Sequence, residues 1–300
     1  MPRVSIGLPV YNGENFIRDA LDSILAQSYD DFELIISDNA STDGTQAICR
    51  DYAARDQRIR YYCNRVNLGA AKNFNRVLAL ASGEYFKWAA HDDVLDPSYL
   101  AKCVTALDSD PSIVLCHSKT KFIDERGRLI SLSSERLAFG ARRPHERFRE
   151  MTLAKHGCFQ AFGLMRTVTL RQTPGIGGYT ASDRVLLAEL ALHGRFCEIP
   201  EHLFARRNHA GQSIIAFDYR DRLAWFDPSR AGKLRMETWS CLGKYYVAIM
   251  RVPLRWHDRM RCFLSIAKWA RQMWRGLVLD FYLAGRQLLA RRKPALQSPG

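Results

Sequence analysis

Strand and helix signals alternate four times between Val4 and Trp88, and this repetition leaves few architectures open to the chain. Val4-Ser5-Ile6-Gly7-Leu8 reads as a strand, which Pro9 then limits. From Glu14 to Gln27, the apolar residues Phe16, Ile17, Ala20, Leu21, Ile24 and Leu25 recur at helical spacing. Phe32 to Ile36 is a second strand. It runs into the loop Ser37-Asp38-Asn39-Ala40-Ser41-Thr42-Asp43-Gly44, where Thr42 or Asp43 is placed to cap a helix through Ile48, Tyr52 and Ala53. Ile59 to Cys63 is a third strand, Lys72 to Ala81 a third helix, and Tyr85 to Trp88 a fourth strand. Short loops joining units in this order predict an α/β domain with a mostly parallel, buried sheet flanked by helices.

Such sheets bind ligands outside the carboxyl ends of their strands. Two acidic loops leave that edge here, one around Asp38 and one at His91-Asp92-Asp93. Adjacent carboxylates past a strand end suit Mg²⁺ or Mn²⁺ carrying a diphosphate. Taken without their neighbours, they read as a solvated acidic turn. Neither G-x-G-x-x-G nor G-x-x-x-x-G-K-[ST] occurs at the first turn, which argues against a dinucleotide fingerprint and a P-loop.

Val4-Ser5-Ile6-Gly7-Leu8-Pro9-Val10-Tyr11-Asn12-Gly13, the segment Ser28 to Thr45, Asn67-Leu68-Gly69 and the Asp92-Asp93 pair together resemble family 2 glycosyltransferases. The likeness is dense over residues 3 to 100 and thinner to about 215. It implies a GT-A fold, inversion at the transferred sugar, and a nucleotide-sugar donor, a UDP-sugar foremost. Pro9, Tyr11 and Glu14 match the family's first nucleotide-contacting loop, and Asp38 its carboxylate for the base imide. Asp43 lies in the same loop but is equally a helix cap. Asn67, Gly69 and Lys72 match the segment over base and ribose. Asp92 is expected to face the ribose or donor sugar, and Asp93 to hold the metal. His91 replaces the usual first Asp, as a weaker ligand or a spacer.

Further along, Tyr99 to Leu107 reads as a helix, Ile113 to His117 as a strand, Ser131 to Arg149 as a polar loop, and Ala161 to Arg166 as a strand. Gly175-Ile176-Gly177-Gly178 leads into Ser182-Asp183 and a helical pattern. By itself Asp183 reads as a helix cap, in competition with Ser182. The resemblance instead makes it the catalytic base. The segment Glu198 to Ser213 resembles the family's last recognisable stretch, in which Arg206 and Arg207 would reach the diphosphate and His209 would complete the metal shell.

The chain has 300 residues and a formal net charge of +13, concentrated late. We expect a catalytic domain over 1–215 and a helical, basic extension over 216–300. Met260, Phe263, Ala267, Ala270, Trp274, Leu277 and Phe281 keep helical spacing among arginines, which suits either an anionic membrane surface or packing on the catalytic domain. No nucleic-acid module is recognisable. No apolar run reaches the roughly 18 residues needed to span a bilayer, and Met1-Pro2-Arg3-Val4 enters a strand at once, so a cytoplasmic enzyme, peripheral on the inner membrane face, is expected. Eight scattered cysteines without C-x-x-C fit reduced core thiols. The acceptor expected is a hydroxyl of a surface polysaccharide or lipid-linked glycan. A sugar nucleotidyltransferase would want a Gly-rich basic loop after the first strand, which Pro9 to Glu14 does not supply. A non-catalytic nucleotide-sugar-binding homologue is the other alternative, since His91 departs from the motif.

Overall fold

A computed structural model describes residues 1–134, 139–211, 225–228 and 236–292. The first four strands are β1 (Val4–Val10), β2 (Phe32–Asp38), β3 (Ile59–Cys63) and β4 (Tyr85–Trp88), joined by α1 (Ile17–Leu25), α2 (Thr45–Arg55) and α3 (Ala70–Leu80). All pairings among these strands are parallel, in the order β3-β2-β1-β4. Every residue of β1 and β2 is buried, as a sheet covered on both faces requires. Pro9 costs the ladder little, because the β1–β4 pairing ends at Gly7.

Beyond β4 the sheet turns mixed. β5 (Val94–Leu95) and α4 (Tyr99–Ser109) lead to the long β6 (Ile113–Ile123) and its hairpin partner β7 (Leu129–Leu132). β8 (Leu164–Arg166), followed by α6 (Thr167–Leu170), inserts antiparallel between β4 and β6. α7 (Ser182–His193) feeds β9 (Arg195–Arg207), which runs parallel to β6 and antiparallel to β5.

Two readings from sequence change. The polar stretch 131–149 holds β7's end and the start of α5 (Pro144–Leu153), with Pro144 in the first turn, where its missing N–H costs nothing. The strand expected from Ala161 begins only at Leu164, after a 3₁₀ turn over Phe159–Phe162.

The C-terminal region is helical: α8 (Glu237–Arg251), α9 (Trp256–Gln272) and α10 (Trp274–Arg292). The boundary expected at 215/216 lies outside the described residues. α8 and α9 bury Tyr245, Ile249, Cys262, Ile266 and Trp269 in one hydrophobic cluster with Phe148 and Met151 of α5 and Leu186, Leu187 and Leu190 of α7. The basic helix thus packs on the catalytic core by one face. Another face stays exposed, at Trp256, Met260 and Leu264 of α9 and Val278, Phe281 and Tyr282 of α10. No helix among the described residues is long and apolar enough to cross a membrane.

Candidate active site

Register fixes where the site forms. Val10 lies beside Asp38 and Asp38 beside Cys63, so the loops after β1, β2 and β3 emerge side by side. Asn12 donates its N–H to Ser41 Oγ (2.9 Å) and accepts from Thr42 N (2.8 Å). Glu14 and Asp43 are reciprocally tied: Glu14 N donates to Asp43 Oδ2 (3.1 Å), and Gly44 N to Glu14 Oε2 (2.6 Å). Asp43 also accepts from Thr45 N (3.1 Å), the first residue of α2. Burial works against the Asp43 carboxylate, yet these donors hold it below its ordinary value. Glu14 and Asp43 therefore clamp two loops together.

Asp38 departs from the position expected of a base-binding carboxylate. It is fully buried, with Oδ1 taken by Ser41 N (2.8 Å) and Oδ2 by Tyr61 Oη (2.9 Å). Its carboxylate supports the loop from beneath. Of the amides around it, Asn67 was expected at the site, but Asn39, Asn64 and Asn73 escaped the sequence reading. Asn73 accepts from Ser37 Oγ (2.7 Å) and Asn64 Nδ2 (3.1 Å). Asn39 accepts from Asn64 Nδ2 (3.1 Å) and Leu68 N (2.8 Å), and donates to Asn67 Oδ1 (2.8 Å). The signal was present in the Asp38-Asn39 and Asn67 motifs, but an Asn in a loop looks like turn chemistry until its partners are known. Gly69 holds φ +84°, and a Cβ there would collide with Pro228 and the Phe226 carbonyl. Tyr11, Asn67 and Lys72 are exposed at this rim, and Pro9 is buried below it.

The second acidic loop lies against the end of β9, because β5 pairs Val94 with Ala205. Asp92 Oδ2 meets His209 Nε2 at 2.9 Å, and both side chains are largely buried. Burial opposes the Asp92 charge, but His209 and His91 keep the carboxylate below its ordinary value. Asp93 behaves oppositely: burial, and then the neighbouring Asp92 charge, push it up to about 8, despite a hydrogen bond from Arg207 N (3.0 Å). His91 is lowered by burial, and it packs so close to Gly13 that a Cβ there would meet its ring at 2.7 Å.

Arg207 also departs from its expected place at a diphosphate. It is buried, with Nε donating to the Asp92 carbonyl (2.9 Å), Nη1 to the Glu125 carbonyl (2.9 Å) and Nη2 to Asp19 Oδ2 (2.7 Å). Strand alternation turns its neighbour Arg206 the other way, half-buried with its guanidinium 5.1 Å from the Phe159 ring and near enough to favour the Asp93 charge.

That Phe159 joins the last component. Cys158, the preceding residue, hydrogen-bonds the Asp183 carboxylate. Asp183 stands in the first turn of α7, where burial pushes its pKa up while the Arg184 N–H (2.7 Å) and guanidinium pull it back. The glycine loop before it is pinned to α3: Asn75 donates to the Ile176 carbonyl (2.8 Å) and accepts from Ile176 N (2.9 Å). Among the described residues, the non-glycine residues at positive φ are Asn12, Ala40, Cys158 and Ala181. All four lie in the loops that build this rim, and such backbone strain gathers at functional sites.

The carboxylate oxygens of Asp92 and Asp93 fit Mg²⁺ or Mn²⁺, while the imidazole nitrogen of His209 favours Mn²⁺, the softer of the two. Among the described residues no three metal-ligating groups already surround one point, so such an ion would need ligands from its substrate. The paired carboxylates, one of them driven toward neutrality, are the arrangement a cation would relieve.

Comparison with known proteins extends this picture. Residues 5–171 match the model of glycosyl transferase family 2. An uncharacterized glycosyltransferase of Rickettsia felis is 35% identical over 129 residues, 42% of this chain but 21% of the relative, so the match spans about a fifth of that protein. S. aureus TarS 1-349 in complex with UDP-GlcNAc superposes with a TM-score of 0.66 at 17% identity, over 89% of this chain and 72% of that one. The mannosyltransferase PcManGT from Pyrobaculum calidifontis, in complex with GDP-Man and Mn²⁺, gives 0.53 at 18% identity, over 97% and 88%. The shared architecture is the GT-A transferase fold.

Proposed function

The chain belongs to glycosyl transferase family 2, and from that premise we propose that it moves a sugar, with inversion, from a nucleotide diphosphate donor to a hydroxyl of a surface polysaccharide or lipid-linked glycan. The observation that carries the reading is the convergence of Asp92, Asp93, Arg206 and His209 on one rim, with Asp183 joined to it through Cys158 and Phe159. The nucleotide lies over the loops after β1, β2 and β3, contacting Tyr11, Asn67 and Lys72. Asp38, Glu14 and Asp43 act through those loops. Asp93 and His209 would hold a divalent cation, which when bound would supply positive charge to offset that of the diphosphate leaving group, and Asp92 faces the ribose or sugar.

The chain's own residues do the rest. Arg206 takes up charge on the departing diphosphate, while Arg207 fixes Asp92 and Asp93 at the rim. Asp183 accepts the proton of the acceptor hydroxyl as that oxygen attacks the anomeric carbon. Attack on the face opposite the diphosphate inverts that carbon. The neighbours' ligands, UDP-GlcNAc in TarS and GDP-Man with Mn²⁺ in PcManGT, support a nucleotide-sugar and a cation in general, and a UDP-sugar is the first donor to test. The test is a panel of UDP-, GDP- and dTDP-sugars scored for thermal stabilisation with Mn²⁺ and then for hydrolysis. Ligands that bind only the folded form raise the melting point. If no sugar nucleotide stabilises the protein or is turned over, the reading fails.

A further inference from the structure

On the face formed by α5 and α9 lies a cavity of about 560 Å³ that the transfer reaction does not use. Arg142, Arg143, Arg255 and Arg261 line it, with His257 and Asp258. Four arginines lining one opening concentrate positive charge there, which an anion would offset. The only carboxylate in the lining is already shared: Asp258 pairs with the buried His145, and His257 Nε2 lies 3.3 Å from it. Arg261 Nη1 is 3.1 Å from His145 Nε2, so this arginine is held at the wall. Around the same helix, Trp256, Met260 and Leu264 follow at four-residue spacing and are 77%, 48% and 63% exposed. A stripe of exposed Trp, Met and Leu beside an arginine cavity has two kinds of chemistry to satisfy, apolar and anionic.

We propose that this face docks on an anionic phospholipid bilayer, with a phosphate headgroup seated in the arginine cavity and Trp256, Met260 and Leu264 in the headgroup–acyl boundary. A basic face bordered by Trp and aliphatic side chains is suited to lie in that interface. The inference rests on the proposed function only in giving a lipid-linked acceptor a reason to be nearby. Vesicle binding and donor hydrolysis are therefore measured separately, and either can fail without the other.

The experiment is co-flotation of the full chain with vesicles of phosphatidylcholine alone and of phosphatidylcholine with phosphatidylglycerol. The wild type should float with the acidic vesicles and stay behind with the neutral ones. The exposed pair Arg142→Ala/Arg143→Ala should weaken acidic-vesicle binding about 25-fold, roughly fivefold per arginine, with melting temperature and donor hydrolysis unchanged. Leu264→Ser should weaken it as well. Equal flotation with both vesicles, no flotation with either, or an unaffected double variant would overturn the proposal. So would complete release by inorganic phosphate at matched ionic strength, which would mark the cavity as a site for soluble phosphate.

Discussion

Asp183 is placed where a helix cap and a proton acceptor make opposite demands. Ala181 is the N-cap residue of α7 and makes no side-chain cap bond, while Asp183 accepts from the next N–H along, that of Arg184, besides its contact with Cys158. Asn ranks beside Asp as a capping group but cannot take a proton. Asp183→Asn should therefore fold normally, bind donor as before, and lose transfer by about 10²- to 10⁴-fold, the usual worth of general-base assistance. Burial raises the Asp183 pKa, and only the ionised form is a base. Transfer should therefore fall as pH drops through a value above the ordinary carboxylate range, and the residual rate of the Asn variant should lack that limb. A pH–rate profile of both proteins decides it. Near-wild-type transfer by Asp183→Asn would return the residue to a structural role. For Asp93→Asn, the amide oxygen keeps the Arg207 N–H bond. The melting temperature should hold, while Mn²⁺-dependent stabilisation by a donor disappears. Retained metal dependence would remove Asp93 from the cation site.

At the scale of elements, the last two residues of β9 divide one task. Arg207 joins α1, the acidic loop and the β6–β7 turn through Asp19, Asp92 and Glu125. Arg206 faces the rim. Arg207→Met should strip the partly buried Asp92 and Glu125 carbonyls of their donor, at about 1 kcal/mol. The Asp19 partner is largely exposed and adds little. The melting point and donor affinity should fall together. Arg206→Ala should leave the melting point in place and weaken only donor binding or turnover. The reverse pattern would exchange their roles.

This division was illegible in the sequence, where both arginines read as one basic segment. The four parallel strands were legible because each is an apolar run bounded by turn residues. α5 was not, because Arg142, Arg143, Glu146, Arg149 and Glu150 drown the signal of Phe148 and Met151. Motif residues such as Asp38 and Glu14 were found by pattern, but a pattern does not say whether a carboxylate meets a ligand or a backbone N–H. That depends on register, and Tyr61 reaches Asp38 only because β3 pairs with β2.

At the scale of the molecule, the C-terminal helices are part of the catalytic body. The sequence offered a choice between membrane contact and packing; one face of α9 packs on the core, and the other is exposed and is the one proposed above to meet the membrane. Trp269, Ile266 and Cys262 lie in the cluster with Tyr245 and Phe148, while Trp256, Met260 and Leu264 point away. α10 contributes differently. Asp280 accepts from Thr238 N (2.8 Å) and Trp239 N (3.1 Å), capping the start of α8 from outside. These contacts predict different outcomes for two truncations. Ending the chain before α10 removes that cap, a loss of about 1 kcal/mol, and should give a folded protein with a slightly lower melting point. Ending it near residue 250 removes all of α9 and opens the core at Tyr245 and Phe148. The Trp269 side chain alone should contribute about 3–5 kcal/mol, judged by truncation to Ala. That is a large share of the roughly 5–15 kcal/mol that holds a domain together. The shorter protein should therefore be aggregated or molten, with donor hydrolysis lost along with cooperative melting. A sharp thermal transition and intact hydrolysis in the 250-residue form would show that the catalytic sheet stands without α9, and that the helix serves the membrane face alone.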